Sequence, residues 1–272
     1  MKTYIVDAFT ALPFKGNPAG ICFPLNAISD EKMQSIAAEL NLSETAFVTQ
    51  KESEESTRFS IRYFTPTVEI PFCGHATLAT AKVIFSIYSD YHEITIKTAH
   101  GLKIGIRKSG DYIQMDLPLY APVLAQPEPE MLTALELDSF VYYGISKESG
   151  KGFLVVENAE IVRKLQPNFV ELAKTGAGAI RGLIVTATSD VPEYDFISRC
   201  FCPWIGISED PVTGVAHTVL AHYWRKQLQK DILSAYQASH RGGALQIHVR
   251  SETNMQVSGQ AVIVFVGDFI AG

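Results

Sequence analysis

The alternation of apolar and polar positions predicts a chain built from both strands and helices. In residues 58–66, 96–110 and 111–118, β-branched and aromatic residues alternate with polar ones, and Gly, Pro or Asp interrupts them, which is typical of strands and hairpins. Residues 29–40 follow helical spacing instead, with apolar positions at intervals of three and four. These positions are Met33, Ile36, Ala37 and Leu40. This helix is predicted to cover one face of a sheet.

Two further predicted helices have almost no polar face. One follows Gly74 and the other follows Gly214. The first carries a nearly continuous apolar set: Leu78, Ala79, Ala81, Val83, Ile84, Phe85 and Ile87. A helix that is apolar all round is buried. Each half of the chain is therefore predicted to be a sheet wrapped around its own central helix.

An internal repeat relates the two halves. The pattern F-x-x-R-x-F-x-P begins at Phe59 and returns 137 residues later at Phe196. Ile70 and the pair Val48-Thr49 also recur at this offset, so seven identities share one spacing close to half of the 272 residues. Solenoid repeats are far shorter, with units of about 20–50 residues. The repeat therefore indicates two copies of one domain.

The predicted fold class is α/β (α+β), with two pseudo-symmetric domains. The N-terminal half-domain is predicted to be 1–118, with the last strand, about 260–272, returning to it. The C-terminal half-domain is predicted to be 119–259. The proline-containing segment 118–130 interrupts the periodicity and is interpreted as the linker. The active site is expected in the cleft between the two domains.

Composition and charge exclude some functions. The net charge of −6 and the pI near 5.7 do not provide the basic surface of a nucleic-acid binder. No secretion signal pattern and no apolar run of membrane-spanning length occurs, so a cytoplasmic protein without a membrane partner is expected. The cysteines lack zinc-site spacing, and no metal is expected. They are Cys22, Cys73, Cys200 and Cys202, interpreted mainly as reduced, buried thiols.

The candidate chemistry lies where the two apolar helices begin. If the halves face each other, both helix N-termini converge on one ligand, and their free amides and dipoles favour a small carboxylate. The repeat at offset 137 aligns Cys73 with Asp210, although the second copy is three residues longer at this turn. Two groups able to carry protons would then flank the ligand. A third candidate is Glu44, in the otherwise largely apolar stretch NLSETAF.

Five segments resemble the PhzF-like isomerases over nearly the whole chain. They are DAFTALPFKGNPAG, NLSETAFV, FTPTVEIPFCGHATLATA, DFISRCFCPWIGISEDPVTG and YQASHRGGALQIHV. The resemblance implies the diaminopimelate-epimerase-type fold, a proton-transfer isomerase without metal or organic cofactor, and a homodimer. The family member that names the group isomerises a dihydro-hydroxyanthranilate in phenazine biosynthesis.

The resemblance also implies roles for individual residues. Glu44 matches the proton-shuttling glutamate, and His75 and Asp210 match residues that contact the substrate and support the shuttle. The predicted substrate-binding residues are Asn17, Ser43, Gly74, Thr213, Gly214 and Val215. The family usually has DPVTGSA, so Val215 replaces a serine and removes a hydroxyl contact.

Each of these residues also has a structural interpretation. Glu44 could be a capping or surface carboxylate, His75 a core histidine, and Asp210 the cap of its helix. Cys73 could line the substrate or be structural, or it could be an acid–base group, as in related epimerases and racemases. Arg62 and Arg199 recur in both halves, which favours a shared structural role.

Three functions are weighed. The leading hypothesis is a cofactor-independent isomerase that shifts a proton on a small cyclic or enolisable carboxylate through general acid/base catalysis by Glu44. One alternative is a racemase or epimerase that uses Cys73 with Asp210. The other is a non-catalytic binding or scaffold protein of the same fold.

Overall fold

The computed structural model describes residues 1–50, 57–176 and 178–270, and the chain divides into two compact units. The first unit comprises Met1–Asp116 and Val257–Gly272, and the second comprises Leu117–Gln256. The divisions predicted from the sequence, after 118 and after 259, fall beside these limits. None of the helices in the described ranges combines the length and the apolar character needed to cross a bilayer.

The first part of the chain forms β1 to β8 and two helices. The strands are β1 (Lys2–Ala8), β2 (Asn17–Phe23), β3 (Glu44–Thr49), β4 (Arg58–Phe64), β5 (Glu69–Ile70), β6 (Glu93–Thr98), β7 (Lys103–Ser109) and β8 (Tyr112–Pro118). The helices are α1 (Asp30–Leu40) and α2 (Gly74–Ile87).

The rest of the chain forms ten strands and four α-helices within the described residues. The strands are β9 (Val123–Leu124), β10 (Tyr142–Ser146), β11 (Lys151–Val155), β12 (Gly182–Thr188), β13 (Phe196–Cys202), β14 (Ile207–Glu209), β15 (Ile232–Gln237), β16 (Gly243–Val249), β17 (Asn254–Gly259) and β18 (Ala261–Asp268). The helices are α3 (Pro129–Ala134), α4 (Ala159–Lys164), α5 (Phe169–Leu172) and α6 (Gly214–Leu228).

The sheet of the first unit surrounds α2. Strand β1 pairs antiparallel with both β2 and β18, so the end of the chain returns to the first unit. From β2 the sheet continues parallel to β3, antiparallel to β4, parallel to β6 and antiparallel to β7. Helix α2 packs on β1, β2, β3 and β18, and its residues Gly74–Ala81 and Val83–Phe85 are buried. Its last residue, Ile87, is exposed, unlike the all-round burial predicted.

The second unit repeats this arrangement around α6. Strand β11 runs parallel to β12, which is antiparallel to β13; β13 is parallel to β15, which is antiparallel to β16. This is the order of pairings found from β2 to β7. Helix α6 packs on β11, β15 and β16, and the Trp224 ring stacks on Phe196 at 5.6 Å. The last turn of α6 contains two basic residues, Arg225 and Lys226.

Helix α1 begins where the sequence predicts. Ser29 is its N-cap, and the Ser29 side chain accepts a hydrogen bond from the Lys32 amide, which satisfies one of the free donors of the first turn. The buried residues of α1 are Met33, Ile36 and Ala37. They pack against a cluster that includes Phe47 and Phe64 on the sheet, so the predicted face of the helix is the buried one.

The repeated arginines make equivalent contacts in each unit. Arg62 forms two hydrogen bonds with the Glu69 carboxylate, and Arg199 forms two with Glu209. Each guanidinium also lies over an aromatic ring of its own strand, at 5.2 Å and 4.8 Å. A planar guanidinium suits both contacts. The recurring arginine therefore ties one strand of each unit to the short strand that follows it.

The loop after this arginine differs in length between the units. Strand pairing opposes Phe64 to Glu69 in the first unit and Phe201 to Glu209 in the second, so the second hairpin is three residues longer. A 3₁₀ turn, Pro203–Ile205, followed by Gly206 at φ 81°, lies in the longer loop. Beyond this loop the repeat offset is 140, and the N-caps of α2 and α6 are Cys73 and Thr213. The predicted equivalence of Cys73 with Asp210 is therefore wrong.

Candidate active site

Three side chains able to carry protons meet at the start of α2. Glu44 is the first residue of β3, Cys73 is the N-cap of α2, and His75 is its second residue. One ligand atom of each side chain lies within 4.8 Å of those of the other two. The contact of α2 with β3 brings these positions together although 29 residues separate Glu44 from Cys73 in the chain. The first unit thus contains a compact, largely buried acid–base cluster.

Glu44 and His75 form the closest polar contact of this cluster. His75 Nε2 lies 3.0 Å from Glu44 Oε2, and the side chains are 4% and 13% exposed. The contact is an ion pair that is not aligned as a hydrogen bond, and Glu44 Oε2 has no other polar partner within the described part of the chain. A buried carboxylate oxygen that faces only the His75 ring keeps a lone pair for an incoming proton. The interpretation of Glu44 as a surface carboxylate is therefore wrong.

Asn17 fixes the other side of the His75 ring. Its Nδ2 lies 3.0 Å from His75 Nδ1, and its side chain is fully buried. Ser43 Oγ donates to Asn17 Oδ1 at 3.4 Å, which agrees with an amide oriented with its NH₂ group toward the ring. In the neutral ring, Asn17 donates to Nδ1 and the proton lies on Nε2, next to Glu44. A protonated ring carries N–H at both nitrogens, and Asn17 then faces Nδ1 with its amide oxygen. Two residues predicted to bind substrate thus also support His75.

The environment of His75 favours its protonated form. Burial by itself lowers the pKa of this imidazole, but the neighbouring Cys73 sulfur and the Glu44 carboxylate raise it well above its usual value. At neutral pH the sulfur is an uncharged thiol, so the Glu44 carboxylate supplies the stabilising charge. A buried imidazolium beside a carboxylate is a pair whose charges compensate each other.

Cys73 is buried beside the same ring. Its Sγ lies 3.4 Å from His75 Nδ1, and the residue is 6% exposed. Burial and the nearby Glu44 carboxylate raise the pKa of the Cys73 thiol to about 11, against the opposing effect of His75. Since the thiolate is the reactive form of cysteine, this environment does not favour Cys73 as a base near neutral pH.

The second unit presents the other predicted site residues at the start of α6. Gly214 and Val215 are the first two residues of the helix, and Thr213 is the N-cap. Asp210 is therefore not the N-cap residue. Thr213 Oγ1 donates to Asp210 Oδ2 at 2.6 Å, and the Asp210 amide donates to the Cys200 carbonyl at 2.9 Å. The structure brings Asp210, Thr213, Gly214 and Val215 together at this helix start.

Gln237 belongs to this second cluster and was not predicted from the sequence. It ends β15, is fully buried, and accepts a hydrogen bond from the Thr213 amide at 2.9 Å. Its Nε2 donates to the Asp210 carbonyl oxygen at 2.7 Å and to Thr213 Oγ1 at 3.2 Å. The sequence did contain a signal for it. Residues alternate between buried and less buried along the strand ILSAYQ, and this alternation places the polar Gln237 on the buried face.

Lys151 is a second buried polar residue that sequence reasoning missed. Its Nζ donates to Cys202 Sγ at 3.4 Å, and Cys200 Sγ lies 3.8 Å from Cys202 Sγ. Burial by itself lowers the pKa of Lys151, but the two sulfurs and Asp210 outweigh burial and raise it. All four cysteines are free and buried, as predicted for Cys22, Cys200 and Cys202.

The first-unit cluster also has the donor set of a metal site. A carboxylate, an imidazole and a thiol within 4.8 Å match the ligand types of three-ligand zinc centres. The raised pKa of Cys73 opposes the thiolate that such a centre requires. That the protein functions without a metal stays a prediction.

Comparison with known proteins agrees with the fold and the motifs. A family model described as phenazine biosynthesis-like protein (PhzC-PhzF) matches residues 6–267. A Halalkalibacterium halodurans protein named an uncharacterized isomerase is 39% identical, over 98% of this chain and 97% of that protein. A crystal structure of a PhzF-family protein from Enterococcus faecalis is 38% identical, with a TM-score of 0.89 over 98% of this chain and 97% of that one.

A more distant likeness concerns the fold alone. A probable proline racemase from Agrobacterium radiobacter is 8% identical, with a TM-score of 0.64 over 100% of this chain and 93% of that one. Together with the two helix-centred units, these likenesses confirm the predicted fold class, the diaminopimelate-epimerase-like α/β fold.

Proposed function

Because this chain belongs to the phenazine biosynthesis-like (PhzC-PhzF) family, we propose that it is a cofactor-independent isomerase in which Glu44 moves a proton on a small carboxylate. The family and the isomerase class predicted from the motifs are confirmed, since a 39% identical relative carries the name isomerase. The acting residue, the mechanism and the substrate class are the proposal.

The observation that carries the proposal is the state of Glu44. Its Oε2 is buried and has no hydrogen-bond partner within the described residues, yet it lies 3.0 Å from His75 Nε2. A general base needs a free lone pair, a fixed position and a neighbour that accommodates its change of charge. Glu44 has all three, because β3 holds its backbone and His75 faces its carboxylate.

The proposed reaction has two proton transfers and no net change of charge. Glu44 as carboxylate takes a proton from a C–H bond that a conjugated carbonyl or carboxylate group acidifies. The C–H electron pair remains on the substrate as a delocalised anion, and the proton forms an O–H bond on Glu44. Glu44 then returns the proton to another carbon of that anion, so a double bond changes place. The step needs no oxidant, reductant or second substrate.

His75 and Asn17 support this exchange of protons. The His75 imidazolium stabilises the Glu44 carboxylate before the transfer, and Asn17 holds the ring in place through Nδ1. In a dry site, a preorganised charge of this kind stabilises the anionic transition state without reorganisation. His75 therefore contributes positive charge beside Glu44 when the substrate becomes an anion.

The start of α2 supplies a preference for an anionic substrate. Helix α2 has no acidic residue in its first turn, and its N-cap Cys73 makes no side-chain capping hydrogen bond. The first amides of a helix have no partner within the helix, and the dipole favours negative charge there. We include in the proposal the predicted substrate contacts of Gly74, Asp210, Thr213, Gly214 and Val215.

Hydrogen exchange on small carboxylates tests the proposed function. A panel of cyclic and α,β-unsaturated carboxylic acids is incubated with the protein in D₂O, and C–H loss is followed by ¹H NMR. Wild type should exchange one position of an active compound, and Glu44→Gln should slow this exchange about 10²–10⁴-fold while binding of the acid persists. Glu39→Gln, in an exposed position of α1, is the matched control. Equal exchange in Glu44→Gln and wild type would remove Glu44 from the reaction.

The racemase alternative is weakened at Cys73. It is supported by the 3.4 Å distance between Cys73 Sγ and His75 Nδ1, which would allow proton exchange between them. The repeat no longer supports a pair formed by Cys73 and Asp210, because Thr213 and not Asp210 occupies the position equivalent to Cys73. The scaffold alternative offers no reason for a buried carboxylate–imidazolium pair. A homodimer, a cytoplasmic location and a role in biosynthesis stay predictions.

A further inference from the structure

The side chain of Gln237 makes hydrogen bonds to three groups of two residues, Asp210 and Thr213, that lead into α6. Its Oε1 accepts from the Thr213 amide, and its Nε2 donates to the Asp210 carbonyl and to Thr213 Oγ1, at 2.9, 2.7 and 3.2 Å. Thr213 Oγ1 donates in turn to Asp210 Oδ2 at 2.6 Å. One buried amide therefore holds the backbone of this loop and the hydroxyl that orients the Asp210 carboxylate.

The orientation of the Gln237 amide is determined by its neighbours. The Thr213 N–H requires an acceptor, and the Asp210 carbonyl requires a donor. Turning the amide by 180° would face NH₂ with N–H and oxygen with oxygen. Because the Gln237 side chain is fully buried, such an arrangement would leave buried groups unsatisfied. Only one orientation of Gln237 is therefore compatible with the loop.

The first unit builds the same kind of helix start without a glutamine. Pairing opposes Ile61 to Thr98 in the first unit and Ser198 to Gln237 in the second, so Thr98 occupies the equivalent position. Thr98 Oγ1 instead accepts a hydrogen bond from the Leu102 amide of its own hairpin. A buried helix start of this fold therefore does not require an amide here. What the second unit adds is Asp210 and a loop three residues longer.

We propose that Gln237 is a positioning residue that holds Asp210 and Thr213 in the geometry needed at the start of α6. The inference rests on the proposed function, in which Asp210 and Thr213 contact the substrate. Gln237 itself does not touch the substrate; it acts through the loop. Positional errors near 1 Å at reacting groups cost up to about 10²-fold in rate, which gives such a residue a measurable effect.

Two variants separate the parts of this interaction. Gln237→Met keeps the length of the side chain and removes every hydrogen bond. Gln237→Glu keeps an acceptor for the Thr213 amide but replaces the donor to the Asp210 carbonyl by oxygen. Gln256→Met is the matched control, because Gln256 is also buried and accepts a hydrogen bond from Arg250. Each protein is measured for kcat, KM, thermal unfolding and exchange of the Thr213 amide by NMR.

The expected pattern distinguishes positioning from general stability. In Gln237→Met the Thr213 amide should exchange faster and kcat should fall by up to about 10²-fold, with a smaller change in KM. In Gln237→Glu the amide should stay protected while kcat still falls. Gln256→Met should lose thermal stability without this loss of kcat. Equal kcat in Gln237→Met and Gln256→Met would overturn the inference.

Failure of the inference and failure of the proposed function give different results. If wild type shows no exchange that depends on Glu44, the proposed function is wrong, whatever Gln237 does. If Glu44-dependent exchange is present but the Thr213 amide is equally protected in wild type and Gln237→Met, Gln237 does not hold the loop. The amide measurement needs no substrate and is therefore independent of catalysis.

Discussion

Nε2 of His75 lies 3.0 Å from Oε2 of Glu44, beside the start of a helix that has no acidic residue in its first turn, and the two side chains are 4% and 13% exposed. This contact combines two features. A buried acid and a buried base face each other, and the carboxylate oxygen has no hydrogen-bond partner among the described residues. Buried groups with a shifted pKa, such as His75, concentrate at active sites.

Stability should depend on pH through His75. The pKa of His75 is raised in the folded protein, so its contribution is fully present below the ordinary histidine pKa of about 6.5 and is lost as the pH rises through the raised value. The difference in free energy of unfolding between wild type and His75→Gln should therefore shrink as the pH rises above ~6.5, by up to about 1.4 kcal/mol per pH unit until the raised pKa is passed. Urea unfolding at several pH values measures it. A difference that grows with pH would contradict the pairing with Glu44.

Asn17 should control the pH range of activity through His75. Asn17→Asp places a carboxylate beside Nδ1, which raises the pKa of His75 further. The pH dependence of exchange should shift upward, and ¹⁵N NMR of the imidazole should show the same shift. Asn26→Asp, at an exposed position, is the control for an added charge in this unit. An unchanged imidazole titration in Asn17→Asp would show that the amide does not contact the ring.

Cys73 should be dispensable for proton transfer. Burial raises the pKa of its thiol to about 11, so Cys73→Ala should retain exchange within about tenfold, well short of the loss that follows removal of an acid–base group. Iodoacetamide at neutral pH should also leave the enzyme active, because alkylation requires an accessible thiolate. Loss of about 10²-fold or more in Cys73→Ala, with racemisation of a chiral acid, would favour the racemase alternative.

Added zinc should inhibit the hydrogen exchange, whereas EDTA treatment of the protein as isolated should not. Glu44, Cys73 and His75 present three donor atoms within 4.8 Å, a set that accepts Zn²⁺ once the thiol loses its proton. Bound Zn²⁺ would occupy the base, so exchange should fall as zinc is added and recover with EDTA. Cys73→Ala should be less sensitive to zinc. Loss of exchange on EDTA treatment of the protein as isolated would show instead that a metal takes part.

The two equivalent arginines should differ in their effect on stability. Arg199 is 10% exposed and also donates to the Leu165 carbonyl at 2.7 Å, whereas Arg62 is 28% exposed and pairs with both Glu69 and Asp30. Arg199→Met removes the partner of Glu209, which is 18% exposed, and leaves the Leu165 carbonyl without its donor, so it should cost about 3 kcal/mol. Arg62→Met should cost about 1 kcal/mol or less, because solvent screens its pairs. Equal losses of unfolding free energy in the two variants, measured by urea unfolding, would contradict this prediction.

The sequence by itself determined the elements and the family. Apolar residues at periods of two and 3.6 specified strands, a face-packing helix at Ser29 and two buried central helices, because burial of apolar surface depends on local spacing. The repeated F-x-x-R-x-F-x-P pattern specified two copies of one domain. Motifs that surround Glu44, His75 and Asp210 pointed to the same residues that the structure places at the two helix starts.

Only the tertiary structure decided which side chains meet. The bond of Asn17 to His75 joins residues 58 positions apart, and the bond of Gln237 to Thr213 joins residues 24 apart. The extra hairpin residues shifted the repeat offset and made Thr213 the counterpart of Cys73. Pairings of this kind depend on register and on how a loop closes, whereas sequence periodicity reports only which face of an element is buried.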